Sequence, residues 1–212
     1  LVDEATVRDV VLPPFQACLE AGVATFMNGF NTLNGIPVTA DAGLVRGILK
    51  GEWGFEGMMV SDWASIRQLI PHGVAADKRE AALLAIRAGS DMDMEGWCYA
   101  DHLVDLVREG VVPEEMVDEA VLRILRVKFQ LGLFEDPYRY VDSERERETI
   151  GNPEFRTDAR EIARRSIVLL KNEQDILPLR RDSRIAVIGP LGDDKDAPLG
   201  NWRARADRKS VV

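Results

Sequence analysis

The sequence of 212 residues is poor in the groups that usually announce a metal, redox or nucleic-acid protein. It has two cysteines, Cys18 and Cys98, and two histidines, His72 and His102. The cysteines fall in helix-like contexts without metal-ligand spacing, which predicts a buried free thiol at each rather than a disulfide. The histidines lie far apart, one in a loop and one in a helix, with no cysteine or paired carboxylates nearby. Metal ligation is not expected of them. Positive charge is in deficit: 27 Lys and Arg stand against 36 Asp and Glu, a formal net charge of −9. That balance argues against a nucleic-acid binder, which would show a basic face. No apolar run approaches the ~20 residues that a membrane-spanning helix needs. No serine sits in a Gly-x-Ser-x-Gly elbow, and no segment is of low complexity. Ile188-Gly189-Pro190, followed by Gly192, misses the dinucleotide-binding spacing and reads as a strand-end turn.

What is present is enough to fold. Apolar residues make up 46% of the chain, which supports a packed core. The chain begins at Leu1 in what reads as mid-helix and ends at Val211-Val212 in what reads as a strand, so an internal piece of a longer protein is expected. Apolar spacing predicts two helical pieces over 3–21, interrupted by Pro13-Pro14 and closed by Gly22. A strand over 23–27, a polar loop over 28–39 and a helix from Asp41 to Gly51 follow. The unit then repeats as strand 58–61, loop 64–76 and helix 77–88, ending at Gly89. It repeats again as strand 90–94, loop 95–97 and helix 99–109. This alternation predicts a parallel α/β architecture; periodicity alone fits a closed barrel and an open doubly wound sheet equally.

A long amphipathic helix is predicted over 113–133. Pro113 and two glutamates occupy its first turn and Arg126 and Lys128 lie near its end, in keeping with the helix dipole. Residues 135–153 are polar and dense in charge, the pattern of a domain boundary or of an exposed excursion within one domain. A helix over 154–166 and strands over 167–170 and 184–190 then predict the opening of a second α/β domain.

The chemistry points to one place. In Gly54-Phe-Glu-Gly-Met-Met-Val-Ser-Asp-Trp63 an apolar strand run ends abruptly, so Asp62 should sit just past a strand's carboxyl end, beside a large aromatic. In α/β folds the loops at that edge converge on a pocket. A carboxylate held ionised there can attack or accept a proton; it can equally cap the next helix. Asp91 and Asp93 alternate on the third strand, on one face near Asp62. Hydrogen bonding to neighbouring strands is the reading preferred for them. An aspartate beside tryptophan, facing an Asn-rich loop, suits a sugar, with hydroxyls for the polar groups and C–H faces for the ring. An ionised aspartate under the anomeric carbon can form a covalent glycosyl-enzyme.

The motifs Thr32-Leu-Asn-Gly-Ile-Pro-Val, Trp53-Gly-Phe-Glu-Gly, Val60-Ser-Asp-Trp, Ala88-Gly-Ser-Asp-Met-Asp-Met and Val168-Leu-Leu-Lys-Asn172, taken in order, resemble glycoside hydrolase family 3, of the bacterial periplasmic β-glucosidase type. The resemblance implies an α/β fold: the C-terminal part of a (β/α)8 barrel over 1–134, a linker over 135–153, and the start of an α/β sandwich domain over 154–212. It implies hydrolysis of terminal β-D-glucosyl residues with Asp62 as nucleophile, Trp63 as a wall of the glycone subsite, and Met27 and Phe30 on the loop bordering it. Phe30 stands where many members have Tyr, and a phenyl ring cannot donate a hydrogen bond. The family's Lys-His pair would lie before Leu1 and its acid/base glutamate beyond Val212. No metal or organic cofactor is implied. The expected partner is a β-glucoside or oligosaccharide, with no nucleic acid and no membrane, and the expected location is periplasmic or secreted. Two readings compete. One is a catalytically incomplete remnant that binds sugar at most, or a relative acting on β-xylosides or N-acetylglucosaminides. The other is a barrel enzyme using Asp62 as a base on a phosphorylated substrate, for which Glu95-Gly96-Trp97 is a poor phosphate loop.

Overall fold

The computed structural model describes residues 1–194, 196, 197 and 200–202. It divides into two compact units, Leu1–Asp142 and Ser143–Val212. The first unit opens with a single helical turn, α1 (Glu4–Thr6), capped by the Asp3 carboxylate, and a wider turn over Val7–Val11. Pro13 and Pro14 then start α2 (Pro13–Glu20). Prolines suit this first turn because its N–H groups have no intrahelical partner. No residue of α2 is buried, so Cys18 is exposed, not buried as expected.

Four short strands follow: β1 (Thr25–Met27), β2 (Thr32–Leu33), β3 (Ile36–Pro37) and β4 (Met58–Val60). The polar loop after β1 is thus partly a hairpin, with β2 and β3 antiparallel around Asn34-Gly35, both at positive φ. That dipeptide is favoured there because a tight hairpin turn needs two left-handed residues. Between β3 and β4 lies a helix over Gly43–Glu52 whose bonds reach five residues back, as from the Trp53 N–H to the Ile48 carbonyl at 2.9 Å. β1 and β4 pair in parallel, with Met27 opposite Val60.

The expected third strand over 90–94 is reduced to one parallel bridge between Met92 and Val60. The reason is local. The Met94 N–H goes to the Ser61 hydroxyl at 2.8 Å instead of to a backbone carbonyl, so a regular ladder stops there.

Helices α3 (Lys78–Ala88), α4 (Cys98–Arg108) and α5 (Glu114–Gln130) complete the unit. α3 starts where Asp77 Oδ1 accepts from the Glu80 N–H at 2.9 Å, while Glu80 reaches back to the Ala76 N–H at 2.7 Å. It ends at Gly89, φ +100°, where an added Cβ would come within 2.9 Å of Arg46 Cγ. Only glycine fits both the left-handed backbone and that approach. The inner face of α3 is small (Ala81, Ala82, Ala85) and packs with Ile66, Leu69, Cys98 and Leu106. A second cluster of Val45, Leu49, Phe55 and Met59 lies against Phe26 and Trp53. α5 ties down the approach to β4, since Arg123 donates to the Phe55 and Gly57 carbonyls at 2.8 and 2.9 Å.

The second unit contains α6 (Ser143–Thr149) and α7 (Pro153–Ser166), the latter capped by Asn152. None of its described residues is buried. The strands expected over 167–170 and 184–190 do not form among the described residues. Val168, Leu170, Val187 and Ile188 are each more than two-thirds exposed. A strand requires a neighbour to take its N–H and C=O groups, and no described segment of this unit supplies one. The last residues, 203–212, lie outside the described ones. No helix among those described is long and apolar enough to cross a membrane.

Candidate active site

Asp62 stands two residues past the carboxyl end of β4 and is half-buried, while Trp63 beside it is 53% exposed. The turn that presents them is fixed through the main chain. Ser61, fully buried, donates from its backbone to the Met92 carbonyl at 2.9 Å. The Ala64 N–H donates to the Met94 carbonyl, and Ser65 N–H to the Asp62 carbonyl at 3.0 Å. Asp62 Oδ1 accepts from the Trp63 N–H at 2.6 Å. A capping aspartate would instead accept from an N–H two or three residues into a helix; the bond to the very next residue leaves the capping role unfilled. Among the described residues no cation forms an ion pair with Asp62.

The parallel pairing brings a second loop alongside. Met27 ends β1 at 53% exposure, and the next residue, Asn28, donates its N–H to the Val60 carbonyl at 2.9 Å. Phe30, half-buried, follows two residues later. The segment carrying Met27 and Phe30 therefore leaves the sheet beside the one carrying Asp62 and Trp63. Beneath them lies a buried polar layer. Asn28 Oδ1 accepts from Ser90 Oγ at 2.8 Å, Thr39 Oγ1 donates to Ser65 Oγ at 3.1 Å, and the Tyr99 hydroxyl donates to the Ser90 carbonyl at 2.7 Å.

The two acids of the third segment separate. Asp91 is not at the rim: its side chain is 2% exposed and pairs with Lys50 Nζ at 2.6 Å while accepting from the Met59 N–H at 2.7 Å. Burial pushes the Asp91 carboxyl up and the Lys50 ammonium down, each against its partner's attraction. Asp93 accepts from the N–H groups of Gly96, Cys98 and Tyr99 at 3.1, 2.7 and 3.2 Å, holding the start of α4. Of the preferred reading, the bond from a neighbouring strand holds for Asp91; Asp93 serves a helix. Sequence reasoning missed Lys50 and Ser61. Lys50 gives no signal, since its partner is remote in the chain. Ser61 could have been found as a small polar residue inside an otherwise apolar strand end.

An apolar cleft of about 260 Å³ lies between the N-terminal helical segment, the hairpin and the Gly43–Glu52 helix, lined by Phe15, Phe26, Met27, Leu33, Ile48 and Trp53 among others. It reaches Met27 but not Asp62. His72 and His102 take no part in a cluster of three or more potential metal ligands, of which there is none among the described residues.

Residues 2–127 match the family described as glycosyl hydrolase family 3 N terminal domain, and residues 167–212 match its C-terminal domain. A periplasmic beta-glucosidase of Salmonella typhimurium is 42% identical over 196 residues, which cover 91% of this chain and 26% of that protein. A beta-xylosidase of Formosa agariphila is 35% identical over 213 residues, covering 95% of this chain and 29% of the other. Among solved structures, the beta-glucosidase of Listeria innocua in complex with glucose superposes with a TM-score of 0.69 at 41% identity, over 93% of this chain and 27% of that one. The chain thus spans about a quarter of the length of the curated relatives it matches.

Proposed function

This chain belongs to glycosyl hydrolase family 3, and from that premise we propose that the whole protein is a retaining β-glucosidase with Asp62 as its nucleophile. The carrying observation is the placement of Asp62: past the end of β4, beside an exposed tryptophan, with one carboxylate oxygen held by the Trp63 N–H and no cation among the described residues paired to it. In the proposed reaction the Asp62 carboxylate attacks the anomeric carbon and the glycosidic C–O bond breaks. The leaving oxygen takes its proton from an acid residue supplied outside this chain. Water, deprotonated by that same residue, then displaces Asp62 and releases the sugar. Trp63 would face the bound ring, and Met27 and Phe30 would border it from the β1 side. The parallel sheet is read as one sector of a (β/α)8 barrel reaching to residue 134, with 135–153 as linker and 154–212 opening a sandwich domain. The 212 residues alone would lack half the catalytic pair and be inactive. The relative called periplasmic supports a periplasmic or secreted location.

The test is made on the intact protein with a chromogenic β-glucoside. Asp62→Asn should lower turnover by roughly 10⁴-fold or more, the scale on which loss of a covalent nucleophile is felt, with little change in folding by circular dichroism. Turnover near the wild-type rate would remove Asp62 from that role. A xyloside-preferring enzyme is the second reading, favoured by the beta-xylosidase relative. The ratio of kcat/KM for matched aryl glucoside and xyloside decides between them.

A further inference from the structure

We propose that Ser61 is a positioning residue for Asp62, acting through the main chain of the turn rather than on the sugar; this rests on the reading of Asp62 as nucleophile. Ser61 is fully buried and its hydroxyl is used twice. It accepts from the Met94 N–H at 2.8 Å and donates to the Asp62 carbonyl at 3.0 Å. A hydroxyl is suited to this because it accepts and donates at once. The Asp62 carbonyl also accepts from the Ser65 N–H at 3.0 Å, so the peptide leaving Asp62 is held by two donors.

The Met94 residue that Ser61 grips on one side is gripped again on the other, since its carbonyl accepts from the Ala64 N–H at 2.6 Å. Ala64 adopts φ +55°, a backbone that a residue with a Cβ holds only when its surroundings enforce it. Ser61 and Ala64 therefore fasten the two sides of the Asp62-Trp63 turn to one neighbouring segment. With the main chain fixed, the carboxylate retains only its own side-chain torsions, and the Trp63 N–H constrains those. A nucleophile must meet the anomeric carbon within a few tenths of an ångström, and a displacement of about 1 Å costs on the order of 100-fold in rate. Alanine at 61 would leave the Met94 N–H without its partner and release one of the two bonds to the Asp62 carbonyl.

The experiment uses the intact protein and 2-deoxy-2-fluoro-β-D-glucosyl fluoride, which accumulates the glycosyl-enzyme because the fluorine slows its breakdown. The rate of labelling and the labelled residue are read by mass spectrometry, with glucose affinity measured in parallel. In Ser61→Ala, labelling of Asp62 should slow by about 10- to 100-fold while the Kd for glucose stays within about 3-fold, because ground-state binding does not need the same alignment. Ser61→Cys, with a weaker hydrogen-bonding sulfur, should label at an intermediate rate. Val112→Ala shrinks an equally buried side chain in the core of α3, α4 and α5 and should label within about 2-fold of wild type, because that residue bonds back to Leu106 and not to the turn. Wild-type labelling rates in the Ala or Cys variant, or an equal slowing in Val112→Ala, would overturn the inference. A label found on another residue in the wild type would instead remove the nucleophile assignment on which it stands.

Discussion

Met58–Val60 and the apolar run at 167–170 are comparable in composition, yet they end in opposite environments. Met58–Val60 pairs with Thr25–Met27 on one side and bridges to Met92 on the other, and Met59 is buried beside Phe55 and Leu49. At 167–170 no pairing forms and every residue is more than 60% exposed. Apolar character is thus a condition for a strand and not its cause. The first run is enclosed because a helix carrying Lys50 and a helix carrying Arg123 are both bonded to its neighbourhood. The second has only α7 before it, whose exposed arginines and glutamate pair within the helix.

The enclosure of the first run leans most on the buried pair of Lys50 and Asp91. Asp91→Ala would leave the Met59 N–H buried without its acceptor and the buried Lys50 ammonium with only the more distant Glu119 carboxylate, 3.8 Å away, among the ion-pair partners described. Removing one member of a buried pair should cost about 3–5 kcal/mol, read as a fall in the urea midpoint of the 212-residue chain. A loss below ~1 kcal/mol would mean that the pair does not hold the first unit together. Next comes a matched pair of truncations. Phe55 is 2% exposed and meets Phe26 edge-on at 5.0 Å, so Phe55→Ala should cost roughly 3 kcal/mol or more. Val168, 72% exposed, should change stability by no more than about 0.5 kcal/mol when cut to alanine. Similar losses at the two sites would show that the 167–170 run is buried after all.

The smallest effect separates two thiols within the first unit. Burial pushes the Cys98 thiol up to about 11 from an ordinary 9.0. The folded chain therefore keeps this proton where the unfolded chain releases it, so the contribution of Cys98 to stability is intact below pH 9 and declines as pH rises toward 11. At neutral pH, iodoacetamide should modify exposed Cys18 in the native chain and reach Cys98 only on unfolding. Equal rates for the two would contradict the packed α3–α4 face.

Much of the first unit could be read from local pattern. The capping pair Asp77 and Glu80, the stop at Gly89 and the switch from Val60 to Ser61-Asp62 are short-range signals, and each corresponds to a structural boundary. The placement of Asp62 after a strand followed from that switch. The division of labour between Asp91 and Asp93 did not, because it depends on Lys50 rising from a helix far earlier in the chain and on the N–H groups of a helix that starts after Asp93. Ser61 was legible only in part: the switch to a small polar residue marks the strand's end, but its partner Met94 belongs to the neighbouring segment, so what the hydroxyl holds cannot be read locally.

The order of the helices in the first unit, their ends and the aspartate–tryptophan pair at a strand's edge were determined by the sequence alone, because each rests on forces acting over a turn or two of chain. Which apolar runs became strands, which acids were buried and which hydroxyl holds the Asp62 turn were decided only by the tertiary structure. Those outcomes depend on hydrogen-bond and ion partners that are remote in sequence, and a partner exists only once the chain has folded back to supply it.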